Sequence, residues 1–141
     1  MSRVQGWVDK YVAFIVSRSE TAFEFGKHDC CITACDMIHA ITGVDPAVSF
    51  RDVYRTPMGA LKKIKEYGDI DLIAEEVCHN HGWPEIPPNF ATRCDLVCID
   101  TGGDRKALGW LDLNASQIYV ASSVGFGVCP RNRALRAWRI G

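Results

Sequence analysis

A chain of 141 residues, 48% hydrophobic and 23% charged with a net charge of −1, has the size and balance of a single globular domain with one core. Its charges are scattered and no basic run is interleaved with aromatics, which argues against a nucleic-acid interface. No apolar run reaches the length of a membrane span and the amino terminus lacks an apolar signal segment, so the expectation is folding in the cytoplasm, or exit by a route other than a cleaved signal.

Val4, Trp7, Val8, Tyr11, Val12 and Ile15 recur at helical spacing, which predicts an amphipathic first helix ending near Ser17. The loop from Ser17 to His28 carries Phe23 and Phe25, expected as lids over the edge of the core. Asp29 then stands where an N-cap belongs, its carboxylate able to accept from the free N–H groups of a helix running from Cys30 to Ile41 and stopped by Thr42-Gly43. Cys31, Ala34, Cys35, Ile38 and Ile41 share one face of that helix, so Cys35 reads as a small core residue. Cys30 and Cys31 fall in the first turn, where the positive end of the helix dipole favours a thiolate.

Gly43 to Thr56 is expected to be irregular, with Arg51 and Arg55 either pairing with Asp52 or lying on a solvated face. Pro57 suits the first turn of a third helix, Met58 to Tyr67, which Gly68 ends. A fourth helix is predicted from about Asp71 to Cys78, capped by Asp69 or Asp71. Residues 82–88 (Gly-Trp-Pro-Glu-Ile-Pro-Pro) make a proline-rich link that excludes regular helix and central strand. Beyond it the pattern changes to short strands: 95–100, 107–113, 117–122, 125–129 and 136–140, spaced as an antiparallel meander. Helices first and strands afterwards predict an α+β domain over residues 1–141, its helices packed on one face of a small sheet.

Seven cysteines without an export signal read as buried free thiols. Cys30 with Cys35, and Cys94 with Cys98, do not form the paired knuckles of a structural zinc site. Cys78-His79-Asn80-His81 concentrates three metal-ligand types, but a polar, frayed helix end accounts for it, and no cofactor or metal is called for.

Gly26-x-x-Asp29-Cys30 opening a helix, followed by Arg93-Cys94-Asp95-Leu96-Val97 opening a sheet, resembles the NlpC-type papain-like cysteine peptidases of bacterial cell walls and phage tails, in which the second motif is Gly-Asp-hydrophobic. A closer resemblance is to a group of small phage-tail and prophage proteins of that superfamily, through Gly26-x-x-Asp29-Cys30-Cys31, Phe50-Arg51-x-x-Tyr54-Arg55-Thr56 and Ala137-Trp138-Arg139. The resemblance spans about Phe23 to Ile140. It implies a papain-like fold, with Cys30 at the nucleophile position, actual or vestigial, and a histidine base on the sheet.

The family's base stands in a His-hydrophobic-Gly strand, which corresponds here to Ala107-Leu108-Gly109, so Ala107 occupies the base position; the third polar position falls near Val120. All four histidines (His28, His39, His79 and His81) precede the strands. His28 is a substitute base only if it folds back across Asp29, and His79 or His81 only if the fourth helix packs near the site. Two functions follow from the resemblance. One is a structural or assembly component of a phage tail tip or baseplate, with other tail proteins as partners, located in the virion tail and assembled in the host cytoplasm. The other is a working peptidase or amidase that cuts peptidoglycan stem peptides.

Overall fold

The structure is a computed structural model that describes residues 2–141. Four helices, α1 (Trp7–Arg18), α2 (Cys30–Thr42), α3 (Pro57–Tyr67) and α4 (Ile70–Asn80), precede six strands: β1 (Glu85–Ile86), β2 (Leu96–Asp100), β3 (Lys106–Leu111), β4 (Gln117–Ala121), β5 (Phe126–Pro130) and β6 (Ala134–Trp138). Short 3-10 turns at Pro88–Phe90 and Arg131–Arg133 complete the chain.

Helix α2 is the centre of the molecule. The carboxylate of Asp29 accepts from the Ile32 N–H at 2.8 Å, and Gly43, at φ 76°, ends the helix in the left-handed turn that a residue without Cβ adopts cheaply. The expected apolar stripe underestimates its burial, because every residue from Cys31 to Ile38 is buried, Thr33 and Asp36 included. The reason is packing on two sides: α1 lies along it, while β3 and β4 cover another side. Helix α1 starts later than its periodicity predicts. Val4 is held instead by an N–H bond to the Ile41 carbonyl at 2.8 Å, and Gly6 at φ 73° makes the turn into the helix. Tyr11 is buried and Phe14 and Ile15 pack on the core, whereas Val12, read as part of the apolar face, stands 45% exposed. Thr56 caps α3 through the Gly59 N–H with Pro57 in the first turn, and Asp69 caps α4.

The strands form one antiparallel sheet in the order β1-β6-β2-β3-β4-β5. Strands β2 to β5 are the expected meander, but β6 departs from it. It folds back to the free side of β2, pairing Val97 with Ala137 and Leu96 with Trp138, and carries β1 at its outer edge. One face of the sheet (Leu96, Cys98, Leu108, Trp110, Trp138) joins the helices in the main core. The other face (Val97, Ile99, Leu111, Ile118, Ala137) makes a smaller cluster with Ala91. Trp110 is sealed in by an indole N–H bond to the Tyr11 hydroxyl at 2.9 Å. No helix among the described residues is long and apolar enough to cross a membrane.

One irregularity positions the site. Strand β3 pairs with β2 along its length, and β4 pairs with β5 along its length, but β3 and β4 pair with each other only at Trp110–Tyr119 and Leu111–Ile118. Gly109 marks the point of closest approach, since a Cβ there would lie 2.4 Å from the Tyr119 carbonyl oxygen. Past that point the two strands no longer pair, and Ala107, Val120 and the first residue of α2 line one groove.

Candidate functional site

The turn before α2 is built around the Asp29 carboxylate, which is buried. One oxygen accepts from the Ile32 N–H; the other accepts from the Gly26 N–H at 2.9 Å and the Tyr54 hydroxyl at 2.7 Å. Gly26 is required, because its φ is 84° and a Cβ would sit 2.1 Å from the Tyr54 carbonyl oxygen. Phe23 and Phe25 meet edge to face at 4.9 Å above this turn, as the lid reading expects.

Cys30 opens the helix between two hollows. On one side is an apolar slot of about 70 Å³ lined by Phe25, Phe50, Tyr54, Ile64 and Ile73. On the other is an open groove of about 470 Å³, lined by Cys30, Ala107, Val120, Cys129, Asp100 and Arg133 among others. The groove is thus lined by Cys30 and by Ala107 and Val120, the positions that the resemblance gives to a base and its orienting partner. Cys30 reaches it from the main core, while Ala107 and Val120 border the smaller cluster on the sheet's other face. No histidine lines the groove or the slot.

His28 is not turned toward Cys30. Its ring is buried, Nε2 donates to the Gly125 carbonyl at 2.9 Å, and Nδ1 meets Arg18 Nη1 at 3.2 Å and Thr33 Oγ1 at 3.3 Å. Arginine can only donate, so Nδ1 is the acceptor and Nε2 carries the proton. Both nitrogens are thereby committed to holding the β4–β5 turn against α1 and α2, which leaves neither for a thiol. His81 is engaged elsewhere, its Nδ1 bonded to the Val77 carbonyl at 2.8 Å and its ring stacked on Trp83.

The thiol itself is unlike an activated nucleophile. Burial pushes Cys30 up to about 12, with the negative neighbour Asp29 adding to the rise; contact with the Leu108 and Cys31 backbone opposes it without cancelling it. The thiolate expected from the helix dipole is therefore not favoured. Cys31 is also raised, chiefly through its bond with the Cys35 side chain and then by burial. All seven cysteines are free, and only Cys30 and Cys129 are not fully buried. Cys78 is buried in the core while His79 is exposed, and no described group of three or more His, Cys, Asp or Glu is arranged to hold a metal ion.

Two residues outside the sequence reading matter here. Tyr54, seen there only as part of a motif, is the third donor to Asp29. Asp36 binds both Arg18 and Arg51. Arg51 also grips Asp45 through two nitrogens at 2.9 Å, so its partners are Asp36 and Asp45 rather than Asp52. The buried rank of a charged residue in the middle of α2 was a signal for this pairing, since an unpaired carboxylate there is too costly. A family model for a domain of unknown function, DUF6950, matches residues 2–140, and the chain belongs to this family. No curated protein and no solved structure matches the chain.

Proposed function

We propose that the chain is a papain-like domain of the NlpC type without a working catalytic base, serving as a structural or assembly component at the tip or baseplate of a phage tail. The observation that carries the non-catalytic part is the groove. Its lining includes the helix-terminal Cys30 together with Ala107 and Val120, the two sheet positions that the resemblance assigns to a base and its orienting residue. A nucleophile–base pair needs a proton acceptor within hydrogen-bond reach of the sulfur. Here the thiol is held protonated and the neighbouring histidine is committed to the Gly125 carbonyl.

Further support comes from Cys94, which stands where the NlpC motif has glycine and adopts φ 61°, the left-handed region glycine favours. The tail assignment rests on the three motifs shared with the small tail proteins. Their residues hold the fold together: Phe50 is buried in the core, Tyr54 binds Asp29, and Ala137 and Trp138 are buried in β6. The partners in this reading are neighbouring tail tip or baseplate proteins, met in the virion and during assembly in the host cytoplasm.

The peptidase reading has one observation in its favour, the open groove beside a partly accessible Cys30. Alkylation separates the two. With iodoacetamide at neutral pH, Cys30 is expected to react no faster than Cys129, and purified peptidoglycan is expected to stay intact. Rapid selective labelling of Cys30 together with clearing of peptidoglycan would reinstate the enzyme. Mass spectrometry of purified phage particles tests the tail assignment separately; absence of the chain from the particle would remove it.

A further inference from the structure

Another pocket, of about 510 Å³, lies where residues 3–7, the Thr92–Asp95 turn and residues 139–141 meet. It shares no residue with the groove at Cys30. At its base is Asp95, fully buried, which accepts from the Thr92 N–H at 2.9 Å, the Thr92 hydroxyl at 3.2 Å, the Ile140 N–H at 3.1 Å and Arg3 Nη2 at 3.1 Å, with Arg139 Nε at 3.6 Å. A carboxylate offers about four lone-pair sites. Asp95 is therefore saturated and has nothing to give a third cation.

A third cation is present. Arg93 stands 5.0 Å from the centre of the Trp7 ring, over which Arg3 also lies at 4.5 Å. Among the described residues, Arg93 makes no hydrogen bond and no ion pair, so its guanidinium fork is held by the indole with its N–H groups unclaimed. The left-handed backbone of Cys94 sets the two neighbours in opposite senses, Asp95 buried and Arg93 exposed. Three guanidinium groups thus surround one consumed carboxylate, Arg139 also donating Nη2 to the Phe90 carbonyl at 2.8 Å. Arg3 registers the excess: burial lowers it most, and Arg93 and Arg139 lower it further against the pull of Asp95. Two guanidinium groups over the indole leave little ring face for a stacked base, which points to a charged group and away from a nucleobase.

We propose that this pocket is an oxyanion-binding site, in which a carboxylate or phosphate group is held chiefly by Arg93, with the N–H groups of Arg139 that Phe90 and Asp95 leave over, above the fixed floor of Asp95 and Arg3. Planar guanidinium forks match both chemistries. The test is calorimetric titration of the full chain with inorganic phosphate and, separately, with acetate, at ionic strength held constant with sodium chloride. Saturable binding in the millimolar range is expected. Arg93→Ala should weaken it roughly tenfold or more, as loss of a charge-assisted pair does, while Arg105→Ala, an exposed arginine in the β2–β3 turn, should leave it unchanged. Arg93 is exposed and without polar partners among the described residues, so its removal is expected to leave the fold intact, which circular dichroism checks. Tighter binding of acetate would identify an acidic peptide or free carboxylate as the source, and tighter binding of phosphate a phosphorylated one. No saturation by either anion up to about 100 mM, or equal loss in Arg93→Ala and Arg105→Ala, would overturn the proposal.

Discussion

Removing the Asp29 carboxylate is the sharpest perturbation of this fold, because three buried donors depend on it. In Asp29→Ala the N–H groups of Ile32 and Gly26 and the Tyr54 hydroxyl all lose their acceptor. A buried donor left unpaired costs about 1–3 kcal/mol, and loss of an N-cap alone costs about 1 kcal/mol. The Tyr54 hydroxyl can rotate and recover part of its share, so a loss of about 4 kcal/mol is expected, against a typical domain total of roughly 5–15 kcal/mol. Tyr54→Phe removes one donor and leaves the other two paired, so about 1–2 kcal/mol is expected there. The two changes share one bond, and the double variant should therefore cost less than the sum of the singles by about 1 kcal/mol or more. Urea denaturation of the four proteins in the cycle measures this. Asp29→Ala within about 1 kcal/mol of the parent, or strict additivity with Tyr54→Phe, would show that the carboxylate is not the keystone of the turn.

Cys78, Cys94 and Cys98 are fully buried and pushed up to about 12. The unfolded chain releases these protons near its ordinary thiol value and the folded chain does not, so their contribution is complete below about pH 8.5 and is lost as pH rises toward 12, at about 1.4 kcal/mol per pH unit for each thiol. Denaturation midpoints should fall steeply above pH 9, and a flat profile to pH 11 would contradict the burial of these groups. Gly26→Ala should abolish folding or shift the loop, because the new Cβ meets the Tyr54 carbonyl, whereas Gly82→Ala, at φ 72° with open space around it, should cost only about 1–2 kcal/mol; thermal melts distinguish them. Asp36→Ala takes one carboxylate from Arg18 and Arg51, leaving Arg51 its two bonds to Asp45 and Arg18 its contact with His28 Nδ1, and a loss of about 2 kcal/mol is expected, which Asp36→Asn should only partly restore. Ala107→His tests the groove: if the strand position is the family's base position, alkylation of Cys30 at neutral pH should accelerate about tenfold, and no acceleration would place the base site elsewhere.

The elements that could be read from the sequence are those decided locally. Asp29, Gly43, Thr56 with Pro57, and Gly68 fix helix ends through bonds spanning a few residues, and periodicity supplied the faces between them. What escaped was decided at long range. Nothing local tells β6 to return to the side of β2, since that choice depends on Val97 and Ala137 finding each other across the sheet. Val12 fits a helical stripe as well as Tyr11 does, yet only Tyr11 meets Trp110. The same division runs through the site. The position of Cys30 at a helix head was legible; the orientation of His28 was not, because its partner is the Gly125 carbonyl, 97 residues away. The three arginines around Asp95 are spread from residue 3 to residue 139, and no spacing rule joins them.

Cys30 itself turns on a comparison of magnitudes. A helix amino terminus favours a charged group by about 0.3–1 kcal/mol, and by about 2 kcal/mol in partly buried geometry. Holding a thiol at about 12 rather than at its ordinary 9.0 corresponds to about 4 kcal/mol against the thiolate. The dipole is outweighed by burial, and Asp29, whose carboxylate caps the same helix, adds negative charge beside the sulfur and deepens the deficit. An active cysteine at such a position therefore needs a cation next to it, and a protonated histidine is how a thiolate–imidazolium pair supplies one. With Ala107 and Val120 bordering the groove and His28 bonded to Gly125, no histidine among the described residues lines the groove to supply it. The carboxylate that makes the turn rigid is thus also one reason the cysteine beside it stays a thiol.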